Sequence, residues 1–318
     1  MKILCRAIAG LFAILALGII AFASANWHPD RPVVELAARW APPPSQFLDI
    51  SGMHVHVRDE GVASDPVPIV LMHGASLNLH TWAGWVQRLE GNHRVVTFDL
   101  PGFGLTGPSP GGDYAIEAYV RFLGLLLDRL GIHHCILGGV SLGGNIAWEA
   151  ALAMPNRVDK LILVDAGGYP VTSSSVPIGF RIASIPALSP IVNNLLPRSV
   201  IAASLRNVYG DPSKVTPELI EETFAMTLRE GNRKALIRFL AQFNPGAHAG
   251  LIAGLRVPTL ILWGARDRLF PLEVAQRFHH DIAGSQLVIF DGLGHMPHEE
   301  DPEQTVAVVK GFLEHSPQ

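Results

Sequence analysis

The pentapeptide Gly139-Val140-Ser141-Leu142-Gly143 constrains this chain more than any other segment, because it joins an apolar run to a helix-like stretch. Cys135-Ile136-Leu137 upstream reads as a buried parallel strand. Downstream, Ile146-Ala147, Ala150-Ala151 and Met154 recur at helical spacing until Pro155 stops the segment. A strand that turns sharply into a helix strains the residue between them, and small neighbours are needed to avoid clashes. Glycines at 139, 143 and 144 meet that need. The turn would lift Ser141 Oγ above the sheet edge and aim N–H groups of the helix N-terminus at developing negative charge. Ser141 is therefore a candidate nucleophile.

A serine hydroxyl is too weak an acid to attack unaided, so it needs a histidine base and a carboxylate to orient that base. Both lie C-terminal to Ser141. The run from Val257 to Gly264 reads as a buried strand and is followed by Ala265-Arg266-Asp267. Gln286 to Phe290 reads as another, followed by Asp291-Gly292-Leu293-Gly294-His295. Each candidate falls just past the C-terminal end of an expected parallel strand, the edge on which open α/β sheets build their sites.

In the order Ser, Asp, His, and over about Phe47 to His315, the chain resembles the α/β-hydrolases. Two further stretches match: His73-Gly74 after the strand Ile69 to Met72, and Phe98-Asp99-Leu100-Pro101-Gly102-Phe103-Gly104. The resemblance implies an α/β fold, a mostly parallel eight-stranded sheet flanked by helices with an inserted helical cap. It implies Ser141, Asp267 and His295 as a catalytic triad, with oxyanion donors from the backbone N–H groups of Ala75 and Leu142. His73 would brace its loop, beside the structural glycines Gly74, Gly139 and Gly143. The chemistry implied is hydrolysis of a small to medium, partly apolar carboxylic ester through an acyl-enzyme, with no cofactor and no metal. Carbon-carbon bond hydrolysis and peracid formation would use the same triad. A non-catalytic ligand-binding protein on this scaffold is the reading from another class.

Other residues compete for these roles. Asp165 ends the strand Leu161 to Val164, where some relatives carry the acid, but Asp267 holds the commoner position. Asp99 is expected to organise its own loop, and Asp291 has no evident route to the His295 imidazole. His298, Glu299 and Glu300 read as a solvated polar turn rather than a metal cluster. Neither Cys5 nor Cys135 has a plausible disulfide partner or catalytic setting.

With 318 residues, 48% of them hydrophobic and 16% charged, the chain can bury a large core. A formal net charge of -4 lacks the basic footprint that nucleic acid requires. The N-terminus departs from this composition: Lys2 and Arg6 precede an uncharged run from Ala7 to Ala25. That run is long enough for a minimal spanning helix, while Ala21-Phe22-Ala23 and Ala23-Ser24-Ala25 resemble signal-peptidase sites. A membrane anchor with the catalytic domain outside the cytoplasm is the expectation. A cleaved signal giving a secreted or periplasmic enzyme, and a buried N-terminal helix, are the alternatives. Residues 1–25 thus form a signal anchor or signal peptide, and 26–46 a juxtamembrane helix and Pro-rich linker. Residues 47–165 and 257–318 form the core, and 166–256 the cap. Within the linker, Val33-Val34, Leu36-Ala37 and Trp40 share one helical face, suited to the bilayer surface or to docking on the domain. Oligomeric state is not legible.

Overall fold

The computed structural model describes residues 2–171 and 175–314. Residues 172–174 of the Ser/Pro/Gly-rich loop, residues 315–318 of the expected core and the Cys5 side chain lie outside the described residues. Eight strands form one sheet: β1 (Gln46–Ile50), β2 (Met53–Gly61), β3 (Ile69–Met72), β4 (Arg94–Phe98), β5 (Cys135–Val140), β6 (Val158–Val164), β7 (Thr259–Gly264) and β8 (Gln286–Phe290). Their spatial order is β1-β2-β4-β3-β5-β6-β7-β8. Only β2 runs antiparallel to its neighbours; β3 through β8 pair in parallel.

Because helices cover both faces, the inner strands read as continuous apolar runs rather than as alternations. In β3, Val70 and Met72 join one core with Leu137 and Leu163, while Ile69 and Leu71 join the other with Trp82, Ile162 and Leu260. Successive side chains of a strand must point to opposite faces, and here both faces are dry.

Helix α1 (Lys2–Asn26) leads into α2 (Val33–Trp40). The sheet is flanked by α3 (Ala83–Leu89), α4 (Ile116–Arg129) and α5 (Leu142–Ala153). Between β6 and β7 the alternation stops, as the sequence suggests. The chain instead forms α6 (Ile178–Ala183), α7 (Ser189–Val192), α8 (Arg198–Val208), α9 (Pro217–Leu228) and α10 (Asn232–Gln242). Thr216 caps α9 by accepting Leu219 N–H at 3.1 Å, with Pro217 in the first turn. The chain closes with α11 (Leu272–Asp281), α12 (Pro297–Glu300) and α13 (Pro302–Glu314).

Large apolar side chains of α1, among them Leu11, Phe12 and Leu17, lie exposed, which overturns the buried-helix alternative. Among the described residues no helix is long and apolar enough to cross a membrane. The spanning expectation therefore gains no support from the structure. The linker that follows is strapped across the cap. His28 N–H donates to Asn194 at 3.0 Å, Arg31 N–H to Leu228 at 2.7 Å, and Glu230 N–H to Arg31 at 2.9 Å. Asp30 meets Arg233 at 2.5 Å, and Arg233 is almost wholly buried. Helix α2 docks on the domain rather than facing away from it: Leu36 and Trp40 pack with Leu105, Ala225 and Met226. Val34, expected on that face, points to solvent. Leu36→Ala should cost about 2–5 kcal/mol, the usual effect of a core cavity, in chemical denaturation of the intact chain.

Candidate active site

Ser141 sits between β5 and α5 with φ 54° and ψ −113°. A β-carbon disfavours that backbone, and such strain persists only where the surroundings enforce it. The surroundings here are glycine. A Cβ on Gly139 would stand 2.2 Å from the Gly143 carbonyl carbon, and one on Gly143 would stand 2.2 Å from the Met72 carbonyl oxygen. Only hydrogen lets β3, β5 and α5 approach this closely. Ser141 N–H donates to Val164 at 3.1 Å, and its carbonyl accepts Gly167 N–H at 3.0 Å. The backbone of Ser141 is thereby tied to β6 and the residues just after it.

The sequence places Asp267 and His295 on separate strand ends, and the fold brings them together. His295 Nδ1 lies 2.7 Å from Asp267 Oδ2, and both side chains are buried. Asp267 Oδ1 accepts the N–H groups of Leu269 at 2.7 Å and Phe270 at 3.0 Å. A carboxylate so occupied is an acceptor only, so His295 carries its proton on Nδ1 and leaves Nε2 as the base. Phe270 packs edge-on against the imidazole at 5.2 Å, and His295 N–H donates to Val208 of α8 at 2.8 Å. One ligating atom each from Asp165, Asp267 and His295 lies within 4.8 Å of the others. A metal could accept that spacing, but both oxygens of Asp267 are already committed to N–H donors.

The loop after β3 crosses directly over the elbow. A Cβ on Gly74 would lie 3.2 Å from Ser141 Cβ, so the Ala75 amide that follows belongs to the same small region as the Leu142 amide. His73 is fully buried and bridges two chain segments. Its Nδ1–H donates to the Gly74 carbonyl at 2.7 Å, and its Nε2 accepts Leu100 N–H at 2.9 Å. Burial lowers its pKa, so it stays a neutral brace at pH 7. Asp99 organises its loop by accepting Leu79 N–H and Leu105 N–H, each at 2.7 Å, while Asp291 is exposed. Burial pushes the Cys135 thiol up to about 12, which leaves it inert.

One expectation is corrected. His298, Glu299 and Glu300 are not a solvated turn: His298 and Glu300 are buried, His298 against Trp82 and Trp85, while Glu299 and Glu300 meet the cap. Glu300 accepts Gly210 N–H and Asp211 N–H at 3.0 Å from the cap, and Gly294 N–H at 2.7 Å from the loop that carries His295. Glu299 accepts the hydroxyls of Thr81 and Tyr209. His298 Nε2 pairs with Thr81 Oγ1 at 2.8 Å, while its Nδ1 is buried without a partner. Burial drives His298 down to about 3 and Glu299 up to about 7, and it raises Glu222, bonded to Asn78, to about 7. No local signal revealed this seam, because its cap partners lie about ninety residues away in sequence and Thr81 lies 217 residues from His298.

A cavity of about 340 Å³ runs from Ala75 and Leu77 under the cap to Phe22 at the end of α1. Ile182, Leu196, Ile201 and Leu205 make its walls apolar, and among the described residues Arg233 is its one charged lining residue. Arg233 Nη1 has no hydrogen-bond partner among them.

A model of the alpha/beta hydrolase fold matches residues 67–302. The chain belongs to this family. It is 29% identical over 268 residues to the 2-hydroxy-6-oxo-2,4-heptadienoate hydrolase of Pseudomonas putida, covering 82% of this chain and 93% of that one. Among solved structures it resembles a thermophilic esterase from Thermogutta terrifontis, with TM-score 0.69, 26% identity and coverage of 85% and 96%. A membrane phospholipase A matches with TM-score 0.73 at 21% identity over 99% of this chain and 98% of that chain, so the shared fold takes in the N-terminal segment. As an α/β-hydrolase, the chain is an enzyme of the hydrolase class. Its sheet order and the strand-end positions of Asp267 and His295 follow from that membership.

Gly143→Ala should destabilise the elbow by about 1–3 kcal/mol through overpacking. Gly292→Ala, where a Cβ meets nothing within 4 Å, should leave thermal stability nearly unchanged. The seam gives a pH effect of defined sign. Glu299 holds its proton up to about pH 7 in the folded state against an ordinary value of 4.5, so its contribution is present below pH 4.5 and lost as pH rises through 7. Glu299→Gln removes that loss and should stabilise the protein by about 1–3 kcal/mol more at pH 8 than at pH 5, read by denaturant melts at both values.

Proposed function

We propose that this α/β-hydrolase cleaves carboxylic esters, with the acyl group lodged in the apolar cavity and the carbonyl presented to Ser141. The cavity that ends on Ala75 carries this reading, since it leads an apolar chain to the backbone donor expected to bind the oxyanion. Ser141 attacks the carbonyl while His295 Nε2 takes its proton. The Ala75 and Leu142 N–H groups hold the tetrahedral oxyanion, and Asp267 stabilises the imidazolium. His295 returns the proton to the departing alcohol, then activates water to release the acid. A volume of about 340 Å³ suits a small to medium substrate.

A second reading is favoured by one observation. The partnerless Arg233 Nη1 suits a substrate that carries a carboxylate, and the Pseudomonas putida relative is a hydrolase of such a compound, a dienoate. The same triad would then serve carbon-carbon bond cleavage of a vinylogous diketone.

The exposed apolar side chains of α1 suit an apolar phase, and Lys2 and Arg6 on its N-terminal flank favour the cytoplasmic side. Attachment to a membrane through α1, with the catalytic domain outside the cytoplasm, is part of the proposal. Recovery of a mature chain beginning near Asn26 in the soluble fraction would remove it.

Purified enzyme should hydrolyse p-nitrophenyl esters, with kcat falling about 1,000-fold or more in Ser141→Ala. A phosphonate probe should label the wild type at Ser141. Equal inertness of both proteins, with no labelling, would favour a binding protein. Turnover of dienoate ring-cleavage products in preference to acyl esters would select the second reading.

A further inference from the structure

Asp165 stands beside the triad without belonging to it. It ends β6 at φ 39°, a left-handed backbone that a β-carbon disfavours, and its side chain is fully buried. Its Oδ1 accepts Gly264 N–H at 3.0 Å, whereas its Oδ2 is buried with no hydrogen-bond partner among the described residues. Asp267, whose carboxylate lies close by, takes three donors: Leu269, Phe270 and His295. Beside a buried carboxylate, the charged form of a second buried carboxyl group is disfavoured. The proton goes to the partner with fewer donors, because N–H groups stabilise the anion they face. The surroundings agree: burial, then the Asp267 carboxylate, push Asp165 well above the usual carboxylate range, and Glu300 adds to the effect.

We propose that Asp165 is a positioning residue, a protonated carboxylic acid whose O–H donates to the Asp267 carboxylate and holds it in line with His295 Nδ1. The inference rests on the reading of Ser141, Asp267 and His295 as a triad. The proton stays on Asp165, and no bond to substrate forms or breaks there. Asp165 completes the shell around Asp267, so that the triad carboxylate receives an O–H from β6 in addition to N–H donors from its own loop and from His295.

Three measurements on the full chain test the proposal. The infrared difference between wild type and Asp165→Asn at neutral pH should show a protonated-carboxyl C=O stretch that the variant lacks. Absence of that band would mean an ionised Asp165 and would overturn the proposal. Asp165→Asn preserves both an N–H donor for Asp267 and an acceptor for Gly264. It should hold kcat within about threefold and leave the acid limb of kcat/KM in place, because one neutral group replaces another. An acid limb lowered by about half a unit or more would mean that Asp165 carried charge, and would overturn the proposal. Asp165→Val removes the donor and should lower kcat about tenfold or more with KM unchanged. A folded Val variant with kcat within about twofold of wild type would also overturn it. If that variant does not fold, the infrared and pH measurements on the isosteric Asn variant still decide. Failure here is distinct from failure of the triad, which would appear as full activity in Ser141→Ala.

Discussion

The strained turn at Ser141 is the constraint on which the rest of the site depends. Holding a non-glycine residue at φ 54° costs on the order of 1–3 kcal/mol, and that cost is offset by the close packing of β3, β5 and α5 through Gly139 and Gly143. The same contact fixes the loop after β3, since Gly143 rests on the Met72 and His73 carbonyls. Ser141 and the loop bearing Ala75 are therefore set by one contact. An oxyanion hole built from backbone amides requires such rigidity, because its donors must be in place before charge develops.

The imidazole depends on a second arrangement that joins core and cap. Glu300 binds N–H groups from both the cap and the His295 loop, and Val208 of α8 accepts the His295 amide. Gly210 and Gly294 approach so closely that a Cβ on either would meet the other's backbone at 2.5 Å or less. This part of the cap and the loop that carries His295 are thus in direct backbone contact. The region is also acid-rich, and burial favours the protonated forms of Glu222 and Glu299.

The parts legible in the sequence were those that local rules govern. Continuous apolar runs marked β5, β7 and β8, glycine spacing marked the elbow, and strand-end placement marked Asp267 and His295. Thr216-Pro217 announced α9 through capping chemistry alone. Residues whose role depends on a distant partner were not legible. The His298–Glu300 segment reads as polar and exposed until α8 and the loop after it cover it. Arg233 reads as one more surface cation, yet Asp30, 203 positions away, draws it into the interior. Asp165 was visible as a rival to Asp267, but a sequence cannot show that two carboxyl groups share one small volume.

The N-terminal segment adds to the walls of the cavity. The family match begins at residue 67, yet the cavity that reaches Ala75 is bounded at its far end by Phe22. Its charged lining residue, Arg233, is neutralised by Asp30 and held by the carbonyl of His28, both from the linker. Two of Arg233's three nitrogens are thus committed to a segment outside the family's core, and the third is buried without a partner. Ser141, Asp267, His295 and the loop bearing Ala75 all lie within the family match. Phe22 of α1 lines the cavity, and the linker residues His28 and Asp30 hold its Arg233, so a segment that precedes the family match helps to bound this space.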